Sequence, residues 1–408
     1  MKQYIERLSL LWSVSAILLC LMLTACCKDD DDEETPSIRT VIVYMSGENS
    51  LSSCAAADLV EIKEGSKLID GNDNLVVWYD RAMKDELPWL ARIKNGVLTD
   101  SVSIADLGIS QKDEQSSDPH VFEKVLTYAV SHYPATDGYG LVLWGHASGW
   151  VLQDSIAYSR GYGVDNGRND SYSNNGPWLN IPTIRKVLEK LPKLTFIFAD
   201  CCNFMCLETL YELRNVTDYV IGSPAEIPDD GAPYETVAPA MFDRKALTTS
   251  ILDRYSARYP NYLPLSAVKT SEMEVVAQAT RTVMEVIRQQ QDSEYADMTG
   301  TIHYYYDGSG YSSFNPVYNI FYDAGDFVRS HAPEADYKKW REILDRAVID
   351  KRIATQWETN KSWYKYYTDF TMTEDKFHGV SMYVPQAGGL NSKYLRDIQN
   401  FAWYTNIF

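Results

Sequence analysis

A histidine and a pair of cysteines stand at the ends of two similar apolar runs, and these residue types can do covalent chemistry. The first run, Tyr139-Gly140-Leu141-Val142-Leu143-Trp144, ends in Gly145-His146-Ala147-Ser148-Gly149-Trp150. The second, Leu194 to Ala199, follows the breaker pair Pro192-Lys193 and ends in Asp200-Cys201-Cys202-Asn203. A cysteine attacks a carbonyl as its thiolate, and an imidazole supplies the thiolate or shuttles its proton. Cys202 and His146 lie 56 positions apart, so only the fold can join them. Short apolar runs suit strands covered on both faces, as in a parallel sheet. Two such strands side by side would bring both side chains to the carboxyl edge, where open α/β sheets place their chemistry. The bland alternatives are a structural loop histidine and a buried, inert thiol.

The elements needed to position such a pair follow along the chain. Arg39 to Met45 reads as the first core strand, with loop chemistry at Ser46-Gly47-Glu48-Asn49-Ser50. Leu51 to Lys67 reads as a helix with Leu59, Ile62 and Lys63 on related faces, and Asn74 to Tyr79 as a second strand. Pro88 to Asp106 holds a hairpin turning at Asn95-Gly96. Asp118-Pro119 opens a helix to about His132, with the acid as cap and Pro at the first helical position. A helix over Ile181 to Leu191 precedes the cysteine-bearing strand, and one over Leu207 to Leu213 follows it. Asp218 to Ser223 is a further strand. Alternating strands and helices are the signature of an α/β fold, a mostly parallel sheet with helices on both faces. From about Val237 the pattern changes to long helices at Glu272 to Gln290 and Asp336 to Lys351, with Tyr-rich loops between and after them. Gly379 to Pro385 reads as a late strand that returns to the sheet edge.

A chain of 408 residues can bury a large core and implies two or three structural units. A net charge of −18 argues against nonspecific nucleic-acid binding and favours cationic substrates. The seven cysteines are Cys20, Cys26, Cys27, Cys54, Cys201, Cys202 and Cys206. Clustering of the last three is not the pattern of a disulfide framework. Zinc would need more ligands, and neither a nearby His nor a second Cys pair is present, so no metal site is assigned. At the amino end, Lys2 and Arg7 precede an uncharged stretch from Leu8 to Ala25 that closes in Leu23-Thr24-Ala25-Cys26. This basic, apolar, small-residue order is that of a signal peptide. The tetrapeptide resembles a bacterial lipobox, in which the Cys becomes the lipidated first residue. A membrane-spanning anchor is the alternative, but small residues before Cys26 have no purpose in one. Six consecutive acids, Asp29 to Glu34, repel one another and stay extended. Placed after a lipidated Cys26, they resemble the surface-export signal of Bacteroidetes lipoproteins. That reading anchors the chain to the outer membrane through lipid, facing outside the cell. The chain divides into a leader (1–25), an acidic tether (26–37), an α/β domain (38–236) and a helix-rich C-terminal subdomain (237–408) that partly returns to the sheet.

Taken together, these segments resemble the clostripain family of cysteine peptidases, which share the caspase-like fold. Val41 to Met45 with Glu48-Asn49-Ser50-Leu51 resembles the family's first strand and loop. Leu143 to Trp150 resembles its catalytic His motif, and Phe198 to Cys202 with Glu208 its Asp-Ala-Cys motif. Ser223 to Tyr234, Asp323-Ala324-Gly325-Asp326-Phe327 and Gly379 to Pro385 match later landmarks. The resemblance implies a three-layer α/β/α sandwich and an endopeptidase cutting after Arg or Lys through an acyl-enzyme. It places the nucleophile at Cys202, with Cys201 in the usual Ala place. It gives His146 the role of acid to the leaving amine or base toward Cys202. Amides of Cys202 and of Ala147 would form the oxyanion hole. The family carries Gly after its His, and Ala147 keeps the amide while adding a methyl. Asp200 occupies the position of a pocket acid, with Asp229 and Asp230 as candidates for a second, since a carboxylate pairs with Arg in bidentate fashion. Simple turn chemistry also explains Asp229 and Asp230. The loop from Val151 to Trp178 is rich in Gly, Ser, Asn, Asp and Tyr and reads as mobile. Arg160 and Arg168 within it are the candidates for self-cleavage, and the uncut chain would then be a zymogen. No cofactor is required. The family includes calcium-dependent members, which leaves calcium as the metal to consider, although no Asp-x-Asp-x-Asp-Gly loop is present. The competing function is an inactive surface lipoprotein that uses the Tyr/Trp-rich second half to bind protein or glycan.

Overall fold

Thr40–Gly47 (β1) is buried along its whole length, because helices cover both of its faces. Val41, Val43 and Met45 enter one core, while Ile42 and Tyr44 enter the other, as the two-residue period of a strand requires. The same division holds downstream, with Val142 and Phe198 on the first face and Leu143 and Ile197 on the second. A computed structural model describes residues 37–110, 114–152, 161–167, 172–291, 295–304, 319–357, 371–386 and 391–407. After β1 come α1 (Ser52–Gly65), β2 (Asn74–Arg81), β3 (Trp89–Lys94), β4 (Val97–Ser103), α2 (Pro119–His132) and β5 (Tyr139–Gly145). Next are α3 (Ile181–Leu188), β6 (Leu194–Asp200), α4 (Leu207–Leu213), β7 (Thr217–Gly222), α5 (Tyr234–Ala240) and α6 (Leu247–Arg258). Then follow β8 (Leu265–Lys269), α7 (Met273–Gln290), β9 (Tyr322–Asp323), α8 (Ala324–His331) and α9 (Glu334–Ala347). The chain closes with β10 (Val348–Arg352), β11 (Ser381–Met382), α10 (Asn391–Ile398) and α11 (Ala402–Ile407).

The main sheet runs β10-β8-β7-β6-β5-β1-β2-β3-β4. Its middle, from β7 to β2, is parallel. Antiparallel strands extend both edges. Helices α1, α5 and α6 cover one face through Ala55, Ile62, Tyr234, Val237, Ile251 and Tyr255. Helices α2, α3, α4 and α7 cover the other through Phe122, Ile184, Leu210 and Val276. This is the mostly parallel sheet with helices on both faces that the alternation implies, and the three-layer α/β/α sandwich that the resemblance implies. Local signals account for several element ends. Asn95 and Gly96 both take positive φ, 50° and 82°, as a two-residue hairpin turn demands. The Asp118 side chain accepts the His120 N–H at 2.6 Å and caps α2.

The expected pattern differs from the structure after 237. The division at 236/237 falls inside α5, and one compact unit begins at Ile38 and runs to the end of the chain. The helix expected over 336–351 stops at Ala347, and 348–352 becomes an edge strand against β8. An open strand edge binds backbone wherever it can, and helical periodicity does not register that demand. The late strand does not rejoin the main sheet. Only Ser381–Met382 pairs with another strand, β9, in a separate two-stranded ribbon, and Ser381 also bridges Cys206. What returns to the sheet from the second half is β8 and β10. On α1 the buried face is Ser52, Ala55, Asp58, Ile62 and Gly65, with Leu59 half-buried against the same core, so the face turned inward includes an acid that the expected Leu59, Ile62 and Lys63 did not. Among the described residues no helix is long and apolar enough to cross a membrane.

Glu208 ties the β11 segment to α4. It is fully buried, and its Oε1 accepts the Tyr383 N–H at 2.7 Å. Burial pushes its carboxyl up to about 7. An acid raised on folding favours the native state below its unfolded value, and that contribution is lost as pH rises through about 7. Replacing Glu208 by Gln removes this loss. Denaturant unfolding at pH 5 and pH 8 is expected to show Glu208→Gln gaining on the order of 2 kcal/mol relative to the unsubstituted protein between the two. Parallel pH dependence in both proteins would refute the assignment.

Candidate active site

Strands β5 and β6 pair in parallel with Trp144 opposite Asp200. Each strand's chain then runs two residues further, to His146 and to Cys202, so the two leave the same sheet edge and line one cavity. Gly145 makes the turn on the histidine side. Its φ is 136°, and a Cβ there would lie 2.8 Å from the Ser46 carbonyl, so only glycine fits. The loop after His146 is fastened by the segment 161–163. Gly163 N–H donates to the His146 carbonyl at 2.8 Å, and Ser148 N–H to the Gly161 carbonyl at 3.0 Å. Ala147 faces Tyr162 in this bridge, which uses neither its N–H nor its C=O. Tyr162 is fully buried and donates through its hydroxyl to the carbonyls of Tyr44 and Trp144. The region expected to be one mobile loop is therefore built into the fold at 161–165. Arg160 and Arg168 lie outside the described residues.

The His146 ring is half-buried and held at Nε2 by the Ser50 hydroxyl at 2.8 Å. Trp178 lies beside it, with ring centroids 6.2 Å apart. In the tautomer that donates Nε2–H to the Ser50 hydroxyl, Nδ1 is the atom left to accept a proton. Sequence reasoning placed Ser50 in a loop motif without a role. Its contact depends on β1 pairing with β5, Ser46 opposite Gly145, which sets the β1–α1 loop above the histidine.

On the cysteine side, Asn203 turns the chain at φ 55° and donates its N–H to the Ala225 carbonyl at 2.8 Å. Asparagine tolerates this left-handed conformation. The turn sends Cys201 into the core, where it is fully buried and burial pushes its thiol well above the usual range. Cys202 is partly exposed, and its Sγ receives the Ile227 N–H at 3.4 Å. Cys206 is buried, with its Sγ on the Thr209 hydroxyl at 3.1 Å. A buried, protonated thiol is a poor nucleophile, so the geometry distinguishes Cys202 from both neighbours.

A single cavity is lined by His146, Cys202, Asp200, Trp144, Asp229 and Gly231. Asp200 is buried in its wall and accepts hydrogen bonds from Tyr255 Oη at 2.7 Å, Tyr234 Oη at 2.8 Å and Ala232 N at 3.2 Å. Burial raises its carboxyl, and these three donors oppose that. Asp229 reaches the cavity from its exposed rim, whereas Asp230 is exposed and does not line it. A second buried acid, Asp58 of α1, stands behind the wall and receives the Trp144 indole N–H at 2.6 Å. Sequence reasoning missed Asp58. The available signal was its place at the i, i+3, i+7 spacing of Ala55, Asp58 and Ile62 on a helix face that turned inward.

Glu48, Asp80 and Asp165 form, among the described residues, the one group with metal-ligand potential, their ligand atoms within 4.8 Å of one another. All three are buried carboxylates, and an all-oxygen anionic donor set is the kind calcium prefers. Protons serve the same cluster, since burial and the neighbouring acids hold Asp80 well above the ordinary carboxylate range.

The family model of the clostripain family (Peptidase_C11) matches residues 43–407. A secreted C11 cysteine protease from Bacteroides thetaiotaomicron, solved with an irreversible peptide inhibitor, is 30% identical. The match covers 90% of this chain and 98% of that one at a TM-score of 0.71. An inactive zymogen C11 protease from Parabacteroides distasonis is 27% identical, with 91% and 98% covered and a TM-score of 0.72. No curated protein matches the chain. A sheet edge that sets a thiol beside an imidazole, in a chain matched over nearly its whole folded length, places this protein in the clostripain family of cysteine endopeptidases.

Proposed function

We propose that this cysteine endopeptidase cuts peptide chains after Arg or Lys, with Cys202 as nucleophile and His146 as proton carrier. The observation that carries the specificity is Asp200, a buried carboxylate in the wall of the cavity that Cys202 and His146 share. His146 takes the Cys202 proton as Sγ attacks the scissile carbonyl, and the oxyanion forms against the amides of Cys202 and Ala147. His146 then protonates the leaving amine as the C–N bond breaks, leaving a thioester. Water, deprotonated by His146, releases the acid and restores the thiol. Asp229 at the rim, with Asp230 beside it, adds negative charge along the path of a basic side chain. The acidic protein as a whole favours the same substrates.

The reaction draws on no cofactor. Where calcium is taken up, Glu48, Asp80 and Asp165 would hold it. The zymogen state of the Parabacteroides distasonis relative supports activation by a cut between His146 and Cys202, with Arg160 or Arg168 as the residue before the cut. Lipidation at Cys26, after removal of 1–25, would tether the enzyme to the outer membrane on the outside of the cell. The acidic run 29–34 supports surface export, and the secreted state of the Bacteroides thetaiotaomicron relative supports a place outside the cytoplasm.

The test uses protein lacking the leader, before and after limited trypsin nicking of 151–178, on peptide fluorophores ending in Arg, Lys, Asp or Leu, with and without calcium. Cleavage after Arg and Lys is expected, and Cys202→Ala should abolish it while Cys201→Ala retains it. Equal cleavage after Leu would sink the specificity reading, and activity surviving in Cys202→Ala would sink the nucleophile assignment. In Asp200→Asn, kcat/KM for basic substrates should fall about 30-fold or more, the usual cost of removing one partner of a buried charge pair. Ser50→Ala should lower kcat about fivefold with KM unchanged, as the loss of one positioning hydrogen bond predicts. It should also shift the acidic limb of the pH–rate profile, and an unmoved profile with unchanged kcat would remove Ser50 from the site.

A further inference from the structure

We propose that Asp58 is a second acid of the basic-residue pocket, paired with Asp200, and that the empty pair holds a proton which passes to solvent when a guanidinium or ammonium group binds. This rests on the Arg/Lys reading above and deepens it. The geometry begins at Gly231, which lines the cavity. An atom at its missing Cβ would lie 3.0 Å from Asp200 Oδ2 and 3.4 Å from Asp58 Oδ2, so both carboxylates face one point of the wall. Asp58 is only 2% exposed, and Trp144, which binds it, lines the same cavity. Two carboxylates this close, away from water, do not ionise together without a cation.

Four elements and the residue after α6 bring titratable groups to Asp58. Asp200 faces it from β6, Glu61 and Cys54 from α1, Tyr234 from α5, Arg258 from α6 and Tyr259 from the residue after α6. The one cation among them, Arg258, is engaged by Glu61 through two contacts of 3.1 Å. The pair keeps its acidic excess, therefore, for something that arrives from the cavity. Burial, and next the charge of Asp200, push Asp58 up to about 8. At neutral pH the empty pocket carries the proton on Asp58. A bound cation favours the ionised form, so binding and proton release are linked. Affinity for a basic side chain then rises with pH, by at most about tenfold per unit, and levels off once Asp58 is ionised without ligand.

The experiment uses Cys202→Ala protein and peptides ending in Arg or Leu. Calorimetric titration at pH 7 in two buffers of different ionisation enthalpy counts protons, and binding is followed from pH 6 to 9. Release approaching one proton per Arg peptide is expected, with affinity rising to about pH 8 and then flat. Asp58→Asn in the same background keeps an acceptor for Trp144, and should release none and show a flat profile. Asp200→Asn should also reduce the release, because the charge that adds to burial in holding the proton on Asp58 is gone. Tight Arg binding without proton release, or undiminished release in Asp58→Asn, would overturn the pair while leaving the basic specificity intact. Failure to prefer the Arg peptide over the Leu peptide would overturn the specificity reading, and this inference with it.

Discussion

The parallel register between β5 and β6 is the constraint on which the site depends. Trp144 stands opposite Asp200, and the two chains reach His146 and Cys202 in two further steps. A slip of one residue would turn every side chain of β6 to the other face, sending Cys202 into the core and Cys201 into the cavity. The strands are buried on both faces, so their apolar side chains resist that slip across the whole length of the pairing. β1 adds a second register, Ser46 opposite Gly145, which brings Ser50 to the imidazole. Core packing thus sets a geometry that no contact within the loops would hold alone.

Phenolic and indole donors solve the problem that buried acids create. Asp200 takes Tyr234 and Tyr255, and Asp58 takes Trp144. Asp80 is reached by Ser116, which also accepts the Trp78 indole N–H. A Tyr or Trp brings a large apolar body with one polar tip, so it can fill core volume and satisfy a carboxylate at once. The abundance of tyrosine, 29 in the chain, fits this use as well as surface recognition.

The second half of the chain supports the sheet and the back of the site. Asp323 caps α8 by accepting the Asp326 N–H at 2.8 Å. It also pairs with His378 at 2.7 Å and accepts the Tyr304 hydroxyl at 2.6 Å, all fully or almost fully buried. His378 sits so close to Gly325 that a side chain there would strike the imidazole. The 323–327 and 379–385 segments are therefore parts of one polar joint. Through the Met205 carbonyl, which accepts the Ser381 N–H, and through Glu208, that joint is fixed to the chain just after Cys202.

Local chemistry along the chain was sufficient for the parallel core, the hairpin turn at Asn95-Gly96, the Asp118 cap, and the His- and Cys-bearing strand ends. Each of these is signalled within a few residues, by period, breaker or cap. The preference for Cys202 over Cys201 came from family spacing, and burial of Cys201 supplies an independent physical reason. Tertiary structure alone decided what depends on distant partners. The edge strand at 348–352 exists because β8 has an edge to cover. The burial of 161–165 depends on Tyr162 reaching two carbonyls of other strands. Ser50 meets His146 only because β1 lies beside β5, and Asp58 comes near Asp200 only because α1 packs into the same core as Phe198 of β6. A sequence displays propensity and period directly, but the pairing of two charges depends on the space between them, and that space is set only when the layers close.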